Sequence, residues 1–385
     1  MNRTEVNMKI IYKLLKQDPG TRDGVTVATS VLGILVNLLL AAIKVIIGTA
    51  VNSLAIVSEG INNATDSATA IITIAGAKLS VKHPTEKYPF GFGRVEYLTS
   101  LIISVLILFT GFELLTSAVK QIFNPAELSV SVWALIVIAV SAVVKFVLGN
   151  YTIKQGKKVN SDSLVAVGTD SKSDCIISVF TIASALIFII FKLNVDAYAG
   201  LITSAFVLKA GYEVLSDTVS KLLGKSDEKE LADSLYKTIR STPGVLNAAD
   251  LMLHNYGPDR YSGSINIEVD HDMTVGEIYA IIHKLQLQIM HEQNIVMVFG
   301  MYAVDTDHEE VRKMREVISG FVKAHENVRS YHALYIDPAN NDIYIDLTVN
   351  YKLRDWDGLR EEFISYMGEK YPGQHIELTI ETDYV

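Results

Sequence analysis

Apolar residues fall in six long blocks along the first 222 positions, near 26–50, 53–78, 95–123, 130–154, 161–191 and 194–222. A helix needs about 20 residues to cross roughly 30 Å of hydrocarbon, so each block is long enough to span a membrane. The pattern predicts six transmembrane helices. Only "VNS" separates the first two, which makes them antiparallel neighbours. Basic residues then set the orientation. Lys9, Lys13, Lys16 and Arg22 precede the first block. Lys78, Lys82, Lys87 and Arg94 lie between the second and third, and Lys154, Lys157 and Lys158 between the fourth and fifth. The other connections, "VNS", "NPAELS" and "KLN", are nearly uncharged. Positively charged loops stay on the inside, so both termini are expected in the cytoplasm.

After "KLLGKSDEKE" the periodicity changes. "DEKELADSLYKTIRST" has helical spacing, "PGVLNAADLMLHNY" reads as a strand after a Pro-Gly turn, and "YSGSINIEVDHD" alternates Ile265, Ile267 and Val269. "TVGEIYAIIHKLQLQIMHEQ" is an amphipathic helix whose Thr274 and Glu277 form a capping box. "IVMVFGMYAV" is a third strand. Residues 308–385 repeat this αββαβ order, with "PANND" as the hairpin turn. The expectation is two tandem two-layer α+β units of ferredoxin-like type. The domains are a cytoplasmic tail over 1–24, a six-helix membrane domain over 25–224, and α+β domains over 225–306 and 307–385. Within the tail, "MKIIYKLLK" suits either a short amphipathic helix on the inner membrane surface or a plain frayed end.

Charge follows the same division. Residues 1–224 hold 19 Lys and Arg against 15 Asp and Glu; residues 225–385 hold 15 against 28, for a net −9. An acidic soluble half excludes nucleic acid as a partner, because phosphate binding needs a basic surface. The single cysteine, Cys175, excludes an intramolecular disulfide and a multi-cysteine metal cluster. No His-Glu-x-x-His or Gly-x-Ser-x-Gly set appears, so the chain is not expected to be an enzyme.

The informative polar residues lie inside the apolar blocks, where each costs roughly 2.5–3.5 kcal/mol on insertion scales. The second block holds Glu59, Asn62, Asn63 and Asp66; the fifth holds Asp170 and Asp174. Asn62 and Asp66 share one helical face, as do Asp170 and Asp174. The two pairs sit at similar depth on helices running in opposite directions, so four oxygen-bearing side chains can converge. Three carboxylates there would repel one another unless a divalent cation or protons offset the charge. Lys44 and Lys145 lie in other blocks and could pair with acids; reaching towards an interface or pairing with Glu113 is the favoured expectation.

"SEGINNATDS", "YPFGFGRVEYL", "GTDSKSDCIIS" and "DAYAGLITSAFVLKAGYEVLSDTVSKLLG" resemble signatures of the cation diffusion facilitator family, over about residues 25–305. The resemblance implies export of a divalent cation in exchange for protons, by a homodimer joined through its cytoplasmic domains, in a prokaryotic cell membrane. It places the metal ligands at Asn62, Asp66, Asp170 and Asp174, with the transported ion bound transiently and no cofactor. Zinc-type members carry Asp-x-x-x-Asp and His-x-x-x-Asp at these places. Here Asn62 and Asp170 replace the first residue of each pair, and the all-oxygen set resembles the manganese-exporting branch. Export of Zn²⁺, Fe²⁺ or another divalent metal, and a membrane-anchored metal sensor, are the alternatives. In zinc-type members cytoplasmic histidines also bind metal; His254 stands at an equivalent place, and "VDHDM" with His271 is the best local cluster.

Overall fold

A computed structural model of the chain describes residues 18, 20–50, 54–123, 132–191, 193, 195–225, 229–258, 260–337, 339–340 and 342–382. The proposed N-terminal amphipathic helix and the "VNS" and "NPAELS" connections lie outside the described residues, as does the side chain of Glu59. The chain forms two compact units. One falls within residues 1–225 together with 256–258; the other comprises 226–255 and 259–385.

The first unit contains six long helices: α1 (Arg22–Ala50), α2 (Leu54–Ser80), α3 (Val95–Phe123), α4 (Val132–Lys158), α5 (Asp162–Phe191) and α6 (Asp196–Leu222). Among the described residues, four of them, α1, α3, most of α4 and α5, are long and apolar enough to cross a membrane. α2 and α6 are just as long as α4 but have lower mean hydropathy; in α2 the cause is a run of polar residues around Asn62, Asn63 and Asp66.

The outer surface of the helices is apolar, and their interior mixes small polar residues with apolar ones. Leu39, Ile46, Phe109, Phe112, Val143 and Phe146 face outward, while Thr29, Ser30, Ser100, Ser104, Ser141 and Ser204 are buried between helices. Such a surface suits lipid, where apolar side chains gain nothing by turning inward and small residues let helix backbones approach. The closest partners are α1 with α2, α3 with α6, and α4 with α5.

A buried ion pair ties the ends of three helices. The Arg22 guanidinium at the start of α1 lies 2.5 Å from Oε2 of Glu96, which begins α3 and is fully buried. Ser163 Oγ on α5 donates to Glu96 Oε1 at 3.3 Å. Arg22 also donates to the carbonyls of Val159 and Asn160, at 2.9 Å each, in the α4–α5 connection. Asn160 takes φ 53°, which turns the chain between the two helices. Lys221 on α6 reaches Asp162 at the head of α5, 2.7 Å away.

The second unit holds two successive αββαβ modules. The first is α7 (Lys229–Arg240), β1 (Asn247–Asn255), β2 (Tyr261–Asp270), α8 (Val275–Gln293) and β3 (Ile295–Val304). The second is α9 (Glu309–Ala324), β4 (Val328–Ile336), β5 (Ile343–Val349), α10 (Trp356–Lys370) and β6 (Ile376–Thr382). In each, the middle strand pairs antiparallel with the first and parallel with the third. Strand alternation puts Ile265, Ile267 and Val269 into one core with Leu235, Ile239, Leu285 and Ile289. Ile343, Ile345, Leu347 and Val349 enter another with Ile318, Phe321 and Phe363. Thr274 and Glu277 cap α8 reciprocally, which fixes where that helix starts.

Removing one partner of a buried ion pair costs about 3–5 kcal/mol, because the other charge is left in a dry interior. Glu96→Ala is therefore expected to lower the thermal midpoint of the detergent-purified protein well below that of Glu113→Ala, whose side chain is exposed. Differential scanning fluorimetry compares the two; equal midpoints would remove the clasp from any account of stability.

Candidate functional site

The α4–α5 contact depends on two glycines. A Cβ on Gly168 would meet Ile153 Cγ1 at 2.6 Å, Ile153 N at 2.8 Å and Gly149 O at 2.9 Å; a Cβ on Gly149 would meet Gly168 O at 2.9 Å. With hydrogen at both places the helix backbones approach closely. Lys145 lies one turn before Gly149 on α4, and Asp170 and Asp174 follow Gly168 on α5.

This approach brings an ammonium among the carboxylates. Lys145 Nζ donates to Asp66 Oδ2 of α2 at 2.6 Å and makes a short contact with Asp174 Oδ2 of α5. The Lys145 side chain is 5% exposed, and those of Asp66 and Asp174 are 16% and 15% exposed. Asp170, one turn before Asp174, is half-buried and close enough for its charge to interact with those of Asp66, Asp174 and Lys145. The structure thus brings three of the four expected residues into one neighbourhood, on two helices.

Two expectations are corrected. Lys145 does not reach towards an interface or pair with Glu113; it bridges Asp66 and Asp174 because the glycine contact fixes α4 against α5. Lys44 is also buried rather than directed outward. The fourth expected residue, Asn62, is exposed. Its neighbour Asn63 is buried instead, with Nδ2 lacking a hydrogen-bond partner among the described residues. The available signal for Lys145 was its place in the middle of an apolar block, where a cation needs a partner as much as an anion does.

Among the cytoplasmic histidines, His254 is exposed on β1 and belongs to no cluster of metal-binding side chains among the described residues. His271 lies 3.7 Å from Asp270 and 3.4 Å from Asp272, at the end of β2. Asp270 is tied to Thr306 Oγ1 at 2.5 Å, and this hydrogen bond keeps its carboxyl below the ordinary aspartate range.

Residues 30–223 match the family model described as the cation efflux transmembrane domain, and residues 228–299 match the cation efflux protein cytoplasmic domain. The chain belongs to the cation efflux family. It is therefore a divalent cation efflux transporter and a membrane protein, with the family's transmembrane and cytoplasmic parts in that order. Over 251 residues it is 30% identical to an uncharacterized transporter of Methanocaldococcus jannaschii, covering 65% of this chain and 88% of the relative. It is 27% identical over 285 residues to the manganese efflux system protein MneS of Bacillus subtilis, covering 72% and 92%. It is 24% identical over 251 residues to a cadmium, cobalt and zinc/H(+)-K(+) antiporter of the same organism, covering 65% and 80%. Neither family match reaches the second αββαβ module.

Overpacking a tight contact costs about 1–3 kcal/mol, whereas Gly to Ala in an unobstructed helix gains up to about 1 kcal/mol. Gly168→Ala is expected to lower the thermal midpoint and to reduce transport. Gly33→Ala on α1, where a Cβ meets nothing within 4 Å, is expected to leave both unchanged or to raise the midpoint. Fluorimetry and ion-flux assays on the two variants check this.

Proposed function

We propose that the protein exports Mn²⁺ from the cytoplasm in exchange for protons, through a site formed by Asp66, Asp170 and Asp174 with Asn62. The carrying observation is the convergence of intramembrane carboxylates from α2 and α5 on one point, with oxygen as the sole donor type of the four proposed ligands. Oxygen ligands suit harder cations such as Mn²⁺ better than Zn²⁺, for which imidazole and thiolate are usual donors. The manganese efflux proteins among the relatives support the same metal, and the cadmium, cobalt and zinc antiporter marks the breadth the family covers.

In this reading all six long helices cross the membrane with both termini in the cytoplasm, as the Lys and Arg of the loops require. Two copies associate through their cytoplasmic domains. Charge explains the cycle. Three ionised carboxylates and the Lys145 ammonium leave two negative charges, which one divalent cation neutralises. Without the ion, Lys145 holds Asp66 and Asp174 together. An entering ion displaces the ammonium from the carboxylate oxygens, and protons arriving from outside neutralise those oxygens and release the ion. Asn62, exposed in this conformation, joins the ligands only when α2 turns.

Proteoliposomes with an imposed pH gradient test this. Wild-type protein is expected to move Mn²⁺ against the proton gradient, with Zn²⁺ a weak competitor. Asp174→Ala is expected to abolish flux; normal transport by that variant sinks the site assignment. Asn62→Asp combined with Asp170→His is expected to shift preference towards Zn²⁺, and an unshifted preference removes the oxygen-donor account of selectivity.

Removing the built-in competitor has a separate signature. Lys145→Ala is expected to bind Mn²⁺ at least about tenfold more tightly, equivalent to about 1.4 kcal/mol, and to release it more slowly. Binding by titration calorimetry should rise as flux falls; an unchanged affinity would show that the ammonium does not compete with the ion.

A further inference from the structure

Within the second unit, the two αββαβ modules meet through strand positions that do not enter either core. Because side chains alternate along a strand, Asn266 and Glu268 of β2, and Asp346 and Thr348 of β5, point away from the core residues Ile267 and Leu347 between them. The first strand of each module carries the same irregularity. Asp250 in β1 has φ 58° and Ala333 in β4 has φ 56°, each within a register shift of its antiparallel pair. Such bulges re-aim the residues they contain. The Ala333 amide donates across the junction to Glu268 Oε1 at 3.1 Å.

At the other bulge, Asp250 Oδ2 accepts from Asn266 Nδ2 at 2.7 Å and from the Tyr302 hydroxyl at 2.9 Å. Its second oxygen, Oδ1, is left facing the second module. His332 Nε2 stands 2.9 Å from it, 3.2 Å from Glu381 Oε1 and 3.8 Å from Asp346 Oδ2. The His332 side chain is 98% buried, at 2% exposure. Even so, neither Nε2 nor Asp250 Oδ1 has a hydrogen bond of acceptable geometry among the described residues. The other ring nitrogen, Nδ1, lies 3.5 Å from Thr348 Oγ1, so the ring is held with Nε2 pointing at the carboxylates. Asp250, His332 and Glu381 each place one ligand atom within 4.8 Å of the others. They line a cavity of about 440 Å³, together with Tyr236 and Arg240.

Two ligands at right angles around an ion, each about 2.1 Å from it, are about 3 Å apart. The 2.9 and 3.2 Å separations fit that arrangement. One imidazole and two carboxylates are donors that first-row divalent cations accept. We propose that Asp250, His332 and Glu381 form a second divalent-cation site, which joins the two cytoplasmic modules and has Asp346 as an outer carboxylate. His332 and Glu381 lie beyond the residues that match the family's cytoplasmic domain, so the site is a property of the added module. It stands independently of the transport reading.

The competing occupant is a proton on Nε2. Burial disfavours the imidazolium, but Asp250 and Glu381 outweigh burial and push the ring up to about 10. A divalent cation brings twice the charge to the same three carboxylates, Asp250, Glu381 and Asp346.

Full-length protein in detergent distinguishes the two. Asp66→Ala combined with Asp174→Ala removes the proposed membrane ligands. This double variant is dialysed against Mn²⁺ or Zn²⁺, and bound ion is counted per chain. The expected result is one retained ion, lost on adding His332→Gln and, separately, Glu381→Gln. Electron paramagnetic resonance of the retained Mn²⁺ should show coupling to a ¹⁴N nucleus that disappears with His332→Gln. Thermal midpoints confirm that the variants remain folded; for any that does not, the nitrogen coupling in the His332-containing protein decides. Absence of a retained ion, absence of nitrogen coupling, or an ion indifferent to His332→Gln overturns the site and leaves a protonated His332 in an ordinary buried ion pair.

Discussion

A charge carried into a low-dielectric interior must meet its opposite there, and the organisation of the helical unit follows from that constraint. Lys145 meets Asp66 and Asp174; Arg22 meets Glu96. Each pair joins different helices, so neutralisation and helix registration are one event. The carboxylate of Asp66 cannot be held by α2 alone, and the ammonium of Lys145 cannot be held by α4 alone. The close backbone approach at Gly149 and Gly168 is what makes the meeting geometrically possible. Small residues position these charges, as expected where the surroundings are as apolar as the side chains.

The cytoplasmic modules solve the same problem with different means. Their cores are apolar and conventional, built by strand alternation against two helices. The faces left over are polar, and where they meet, ionisable groups become buried between modules. Asp250 is pulled below the ordinary aspartate range although burial opposes its charge, because the His332 ring beside it and a hydrogen bond from Asn266 favour the carboxylate. Glu381 is pushed the other way, chiefly by burial. Two carboxylates beside one imidazole are thus held unequally. Such an arrangement is stable only while something positive stands between them.

Much of this was legible in the sequence, for definite reasons. The ends of α3 and α5 are marked by abrupt changes from polar to apolar residues, and the cap of α8 by Thr274 and Glu277. Strand and helix periodicities separate the ten elements of the cytoplasmic part. What could not be read was which faces touch. Periodicity places Asn62 and Asp66 on one side of α2, yet the structure exposes Asn62 and buries Asn63, because the rotation of a helix is set by its neighbours. Lys145 was misread for the same cause: its partner lies 79 residues away on one side and 29 on the other. His332 sits in a strand with no nearby acid in sequence. Only the meeting of two modules supplies Asp250 and Glu381.

Lys145 also bears on how a single scaffold can serve different metals. The relatives include manganese efflux proteins and a cadmium, cobalt and zinc antiporter at similar identity, so overall similarity does not separate the metals. The donor atoms can. In the proposed site the resident ammonium is itself a hard cation held by carboxylate oxygen. An ion that displaces it must gain more from those oxygens than the ammonium does. A hard divalent ion gains most of that energy by charge, whereas a softer ion relies on nitrogen or sulfur donors that the proposed oxygen set does not provide. In the proposed reading, the lysine sets a threshold that charge density, rather than covalent affinity, allows an ion to pass. Asp170 adds to the same field without being bound by Lys145, which leaves it available to an arriving cation. Selectivity in this arrangement comes from the cation already present as much as from the ligands.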